Sequence, residues 1–176
     1  MTQVAGNVFL AIACLVLEAI VFILTVVGTP IDVFRSRGPA SASVHVCYSM
    51  WGVKECGNHK TNPINAPYKG FPSSGIEKTM NAASAFAIIS IFLTLVALVL
   101  TVLLVFKCIF RVIPGIFSVL AFVTLLVCWA CMAGAYNKNY GAGLRIKTGY
   151  TYVGGFGLIV TAWCVQTVEM ILVFFA

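Results

Sequence analysis

The sequence predicts an all-helical membrane protein, a bundle of four transmembrane helices carrying a small β-structured loop on one face. Three observations lead there. Of the 176 residues, 61% are apolar and only 9% are charged, whereas soluble domains carry about 25% charged residues. Four apolar stretches, each long enough to cross a bilayer at about 1.5 Å per residue, are separated by polar connections. The longest connection holds a close pair of cysteines, Cys47 and Cys56, while the other five cysteines lie in or beside apolar runs.

The first span is read as residues 5–28. Val8 to Gly28 carries one charge, Glu18. A cleaved signal peptide fits less well: Met1 to Asn7 has no Lys or Arg, the apolar run is too long, and no small-x-small site stands out. Pro30 ends the helix, because proline pushes its predecessor out of the helical region. A polar loop follows over residues 29–80. Pro63, Pro67 and Pro72 in its second half favour turns and extended chain. Ser74-Gly75-Ile76-Glu77 has the pattern of a capping box, with the Ser74 hydroxyl accepting from the Glu77 amide, so the next helix is expected to start outside the bilayer.

The second span is residues 80–106, uncharged from 82 onward, with Ala83 and Ala87 forming a small-xxx-small face suited to close helix packing. Lys107 and Arg111 bracket a short link, which makes the second and third spans antiparallel neighbours. The third span is residues 112–136, a second polar loop covers 137–149, and the fourth span is residues 150–175. The whole is one tetraspan domain. The net charge of +6 comes from loop Lys and Arg. It suits anionic lipid headgroups, and without a basic stripe interleaved with aromatics it does not indicate nucleic acid.

Val44 to His59 is the most structured polar segment. If it folds back at Trp51-Gly52, Cys47 faces Cys56, Tyr48 faces Glu55 and Ser49 faces Lys54, the register of a hairpin closed by a disulfide. Trp-Gly is a poor type I′ turn, so a four-residue loop from Met50 to Val53 fits equally well. A ring of this size stabilises by about 2.5–3 kcal/mol in the chain-entropy model. His45 and His59 flank the cysteines, so a tetrahedral zinc site is the competing reading. Counting positive charge alone would place both long loops in the cytoplasm. The disulfide requires an oxidising side instead, so these loops are expected outside and both termini in the cytoplasm.

Cys47-Tyr48-Ser49-Met50-Trp51-Gly52-Val53-Lys54-Glu55-Cys56 resembles the signature of the amastins, surface proteins of kinetoplastid parasites. Tyr48, Ser49, Trp51, Gly52, Lys54, Glu55 and both cysteines fit that signature. Met50 departs mildly from the Leu or Phe more usual in the family. Amastins in turn look like distant relatives of the claudins, which also have four spans and a small extracellular sheet. The resemblance implies a multi-pass plasma-membrane protein in contact with a host cell, with no established molecular activity and no cofactor. No Asn-x-Ser/Thr sequon occurs, so N-glycosylation is not expected.

Within the spans, Glu18 is the sharpest polar feature, because an intramembrane carboxylate marks function by default. Proton or ion handling competes with a role as hydrogen-bonded glue between helices. Counted from the expected helix ends, Glu18 lies about 15 Å deep and Glu169 about 28 Å deep, so the two are not expected to pair. Glu169 is expected to reach Lys107 or Arg111 instead. Cys128 and Cys131 form a C-x-x-C that a membrane thiol oxidase would use, although small packing cysteines are the simpler reading. Cys108 beside Lys107 is a candidate palmitoylation site. Gly154-Gly155-Phe156-Gly157 follows no strand and is read as close helix packing. Trp51 either anchors a partner or packs at the membrane interface. The leading expectation is a non-enzymatic surface protein acting in host contact, adhesion or membrane organisation, with membrane lipids, a second copy or a host-cell surface as partners. A small transporter using Glu18 comes second and a thiol-redox enzyme using Cys128 and Cys131 third.

Overall fold

A computed structural model describes residues 2–37, 46–56, 73–106, 110, 112–139 and 146–175, with only the backbone described at 2–7, 54 and 55. Four long helices form the bundle: α1 (Thr2–Gly28), α2 (Ser74–Val105), α3 (Val112–Asn137) and, last in the chain, α5 (Gly154–Val173). Each is long and apolar enough to span a membrane. Packing runs around a ring, with α1 on α2, α2 on α3, α3 on α5 and α5 back on α1.

Buried positions in α1 and α5 recur at alternating steps of three and four. In α1 they are Ala11, Cys14, Glu18, Val21, Thr25 and Gly28. In α5 they are Gly155, Ile159, Ala162, Gln166, Glu169 and Val173. A repeat of 3.5 residues keeps one seam of a helix facing its partner along its whole length. Much of each buried seam is small or polar, as with Ala83, Ala87, Ser90, Thr94, Ala97 and Thr101 in α2. Many large apolar side chains, such as Phe9, Phe92 and Phe174, point outward. That inversion of the soluble pattern follows from the solvent: lipid is as apolar as Leu, so helices associate by close backbone approach and polar contacts.

Several hydroxyls in the seams are satisfied by carbonyls of their own helix. Thr25 Oγ1 donates to the Val21 carbonyl at 2.7 Å and Ser90 Oγ to that of Phe86 at 2.7 Å. The Ala83 and Ala87 face is fully buried, and there Cys128 Sγ of α3 donates to the Ala83 carbonyl at 3.4 Å.

One end of the bundle carries a four-stranded antiparallel sheet. Its strands are β1 (Phe34–Ser36), β2 (Val46–Ser49), β3 (Gly52–Glu55) and β4 (Tyr150–Tyr152), in the order β3-β2-β1-β4. A single helical turn, α4 (Ile146–Gly149), leads into β4. The sheet is therefore built from both inter-helix connections on that side, with β1 central and β4 supplied by the second connection. The start of α1 and the end of α5 lie at the opposite end of the bundle. At about 48 Å, α2 is longer than a hydrocarbon core. Its first turns bring Ile76 and Met80 into the same buried cluster as Val33, Phe34, Tyr48 and Met50 beneath the sheet.

Three expected boundaries shift. The last span begins at Gly154, because 150–152 extend as β4 and pair with β1 (Phe34 with Tyr152, Ser36 with Tyr150). The cap of α2 is Ser73, one residue before the expected Ser74: the Gly75 amide donates to Ser73 Oγ at 3.3 Å and the Glu77 amide to the Ser73 carbonyl at 3.0 Å. In the hairpin, Cys47 faces Lys54, Tyr48 faces Val53 and Ser49 faces Gly52. This register is displaced by two residues from the one expected, and the turn residues are Met50 and Trp51. A displacement of two leaves every side chain on its expected face. Burial of Met50 (0% exposed) decides the turn, by drawing that residue into the core.

Candidate functional site

The sheet end is built around the hairpin. The Trp51 amide donates to Ser49 Oγ at 3.3 Å, and that hydroxyl donates to the Gly52 carbonyl at 3.2 Å. Gly52 has φ 151°, a backbone state that L side chains rarely adopt. Cys47 and Cys56 form the disulfide, with Cα atoms 5.2 Å apart, inside the usual range. Cys56 lies just past β3, where the chain is free to curl toward Cys47. Because the two sulfurs are bonded to each other, they are not available as thiolates for zinc; His45 and His59 lie outside the described residues. The backbones of Lys54 and Glu55 lie in β3.

Trp51 stands in the hairpin turn. Its side chain is 56% exposed, yet its Nε1–H donates to the Thr29 carbonyl at 3.3 Å, at the end of α1. Carbonyls at a helix C-terminus lack intrahelical donors, so the indole ties the hairpin tip to the rim of the bundle. That is the position tryptophan favours at a membrane–water boundary.

Beneath the sheet runs an aromatic ladder. Phe34 stacks on Tyr136 of α3 (5.7 Å between centroids), Tyr136 meets Tyr152 of β4 at 4.1 Å, and Tyr152 stacks on Phe156 of α5 at 4.2 Å. Tyr48 meets Tyr150 edge-on at 5.0 Å, and the Tyr150 hydroxyl donates to that of Tyr48 at 3.4 Å. Burial, then this hydroxyl contact, pushes the Tyr48 phenol well above its ordinary pKa. No short-range sequence pattern flagged the ladder, because its members come from four separate segments.

Of the Gly154–Gly157 motif, Gly155 is the residue with a steric reason. A Cβ there would lie 2.7 Å from the backbone oxygens of both Ile31 and Asp32. The Gly155 amide donates to the Asp32 carbonyl at 3.0 Å. Its close neighbour is thus the backbone that follows α1, not another helix as expected. A Cβ at Gly157 meets nothing within 4 Å.

In the helix core, the expectation that Glu18 and Glu169 stay apart is overturned. Both are fully buried, and the Gln166 side-chain amide nitrogen donates to one carboxylate oxygen of each, at 3.2 Å to Glu18 and 3.0 Å to Glu169. The depth argument failed on its reference point. Gly28 of α1 packs against Leu158 and Ile159 of α5, and ten residues inward from that contact the antiparallel helices place Glu18 beside Glu169. Gln166 was the residue overlooked, although it stands three positions before Glu169 on one helix face. Lys107 and Arg111, the partners expected for Glu169, lie outside the described residues.

The remaining candidates divide simply. Cys128 is buried and Cys131 half-buried; both are free thiols. Cys128 makes the helix-packing contact to Ala83 already described. Cys108 lies outside the described residues. A comparison with curated proteins finds no match. The model of the family described as Amastin surface glycoprotein matches residues 19–173, and the chain belongs to that family.

Proposed function

We propose that this multi-pass membrane protein is a non-enzymatic plasma-membrane protein whose sheet end faces the cell exterior and serves host contact, adhesion or membrane organisation. One observation carries the reading: the Cys47–Cys56 disulfide sits at the sheet end, and disulfides persist on the oxidising side of a membrane. Both termini then lie in the cytoplasm. The exposed Trp51 at the hairpin tip supplies the kind of rigid aromatic surface that anchors contacts.

Two measurements test this. A membrane-impermeant amine reagent applied to intact cells should label Lys78, exposed in the first turns of α2 at the sheet end, without permeabilisation; labelling only after permeabilisation would reverse the topology. Replacing Trp51 by Ala should reduce attachment to host cells or the size of native-membrane assemblies while leaving surface expression unchanged. Unchanged attachment and assembly would remove the contact role and leave the topology standing.

A further inference from the structure

We propose that Glu18 and Glu169 form an intramembrane proton-binding site, in which one proton is held on Glu18 against an ionised Glu169. The inference is independent of the surface role and rests on the helix core alone.

The two carboxylates come from different helices, and neither side chain has any exposed surface. One nitrogen, Nε2 of Gln166, donates to both. A single amide can bring two carboxyl groups together, but it carries no charge to balance two anions. Like charges this close, out of water, do not both ionise. Every charged or titratable group facing the pair can be named among the described residues. On α1 it is Cys14, one turn from Glu18 and also fully buried. From α3 the neighbour is the neutral Ser118, and α5 contributes Gln166. Along α2 no Lys, Arg, Asp or Glu lies between Lys78 and Val105. None of these supplies a cation.

A second observation points to a ligand. Ser118 is fully buried, and its hydroxyl lies beside the Glu169 carboxylate without completing a hydrogen bond to any described group. The second oxygens of Glu18 and Glu169, and the side-chain oxygen of Gln166, are likewise buried and without partners among the described residues. The pair is thus short of donors, and a proton on one carboxyl supplies one. The arrangement also says which carboxyl holds it. Glu169 is approached by two neutral donors, the Gln166 amide and the Ser118 hydroxyl, whereas Glu18 is approached by the amide alone. Charge is better tolerated where more donors meet it, so the anion belongs on Glu169 and the proton on Glu18.

The test is infrared spectroscopy of the carboxyl C=O stretch on the full chain in lipid nanodiscs near neutral pH, with deuterium exchange to identify the band. The wild type should show one protonated carboxyl per chain. Glu18→Gln, which mimics the protonated form, should abolish the band, while Glu169→Gln should keep it. Thermal melting checks that each variant is folded, and the wild-type band decides the matter alone if a variant is not. A wild type without the band would overturn the proposal, as would a band that survives in Glu18→Gln and vanishes in Glu169→Gln. Loss of the wild-type band on adding sodium at constant pH would also overturn it, in favour of a metal cation.

Discussion

Replacing Gly155 by Ala should destabilise the protein more than its size suggests. The new Cβ would stand 2.7 Å from two backbone oxygens, of Ile31 and Asp32. Backbone oxygens cannot rotate aside as a side-chain tip does. Either α5 or the segment joining α1 to β1 must move. Overpacking of this kind costs about 1–3 kcal/mol. Movement also weakens the Gly155 N–H···O=C Asp32 hydrogen bond, 3.0 Å long, whose loss costs about 0.5–1.5 kcal/mol. Against these stands the better helix propensity of Ala, at most about 1 kcal/mol. The net is a destabilisation of about 1–3 kcal/mol, concentrated where β4 passes into α5. Gly157→Ala is the matched control: it gains the same propensity and meets nothing within 4 Å, so it should be neutral or stabilising by up to about 1 kcal/mol. Thermal melts of the two purified variants in one detergent make the comparison. Equal melting temperatures would refute the close-approach argument.

Other outcomes follow from the sheet end. Trp51→Phe keeps the ring but removes the bond to the Thr29 carbonyl, and should cost about 0.5–1.5 kcal/mol in the same melt. Opening the Cys47–Cys56 ring, by reduction or by Cys47→Ser/Cys56→Ser, should cost about 2.5–3 kcal/mol, read as a lowered midpoint that reductant no longer changes in the double variant. The raised pKa of Tyr48 means that folding favours the neutral phenol. Its contribution is therefore fully present below the ordinary tyrosine value of about 10 and lost as pH rises above it; the alkaline fall in stability should be shallower in Tyr48→Phe. Because the sequence holds no Asn-x-Ser/Thr sequon, peptide N-glycosidase should leave the gel mobility of the native protein unchanged.

The four spans, the disulfide pair and the family signature were legible because each is written in contiguous residues. Hydrophobic length, proline positions and a ten-residue motif do not depend on what packs against them. The hairpin register was harder to read, since turn chemistry at Trp51-Gly52 is weak and the burial of Met50 chose the turn. Strand β4 was hidden because Tyr150–Tyr152 runs almost directly into the helix that starts at Gly154; only pairing with β1 reveals it.

The sequence by itself determined that this chain crosses a membrane, that its polar connections gather on one face, and that Cys47 and Cys56 close a small hairpin there. Hydrocarbon accepts only helices or closed barrels, whose backbones are internally satisfied, and four continuous apolar runs of this length fit only the helices. Only the tertiary structure decided that both connections share one sheet, that Gly155 rests on backbone, and that Glu18, Gln166 and Glu169 meet. Those facts depend on the axial offset between helices distant in the chain. That offset is set by a few close contacts, such as Gly28 against Leu158 and Ile159, and not by any local pattern.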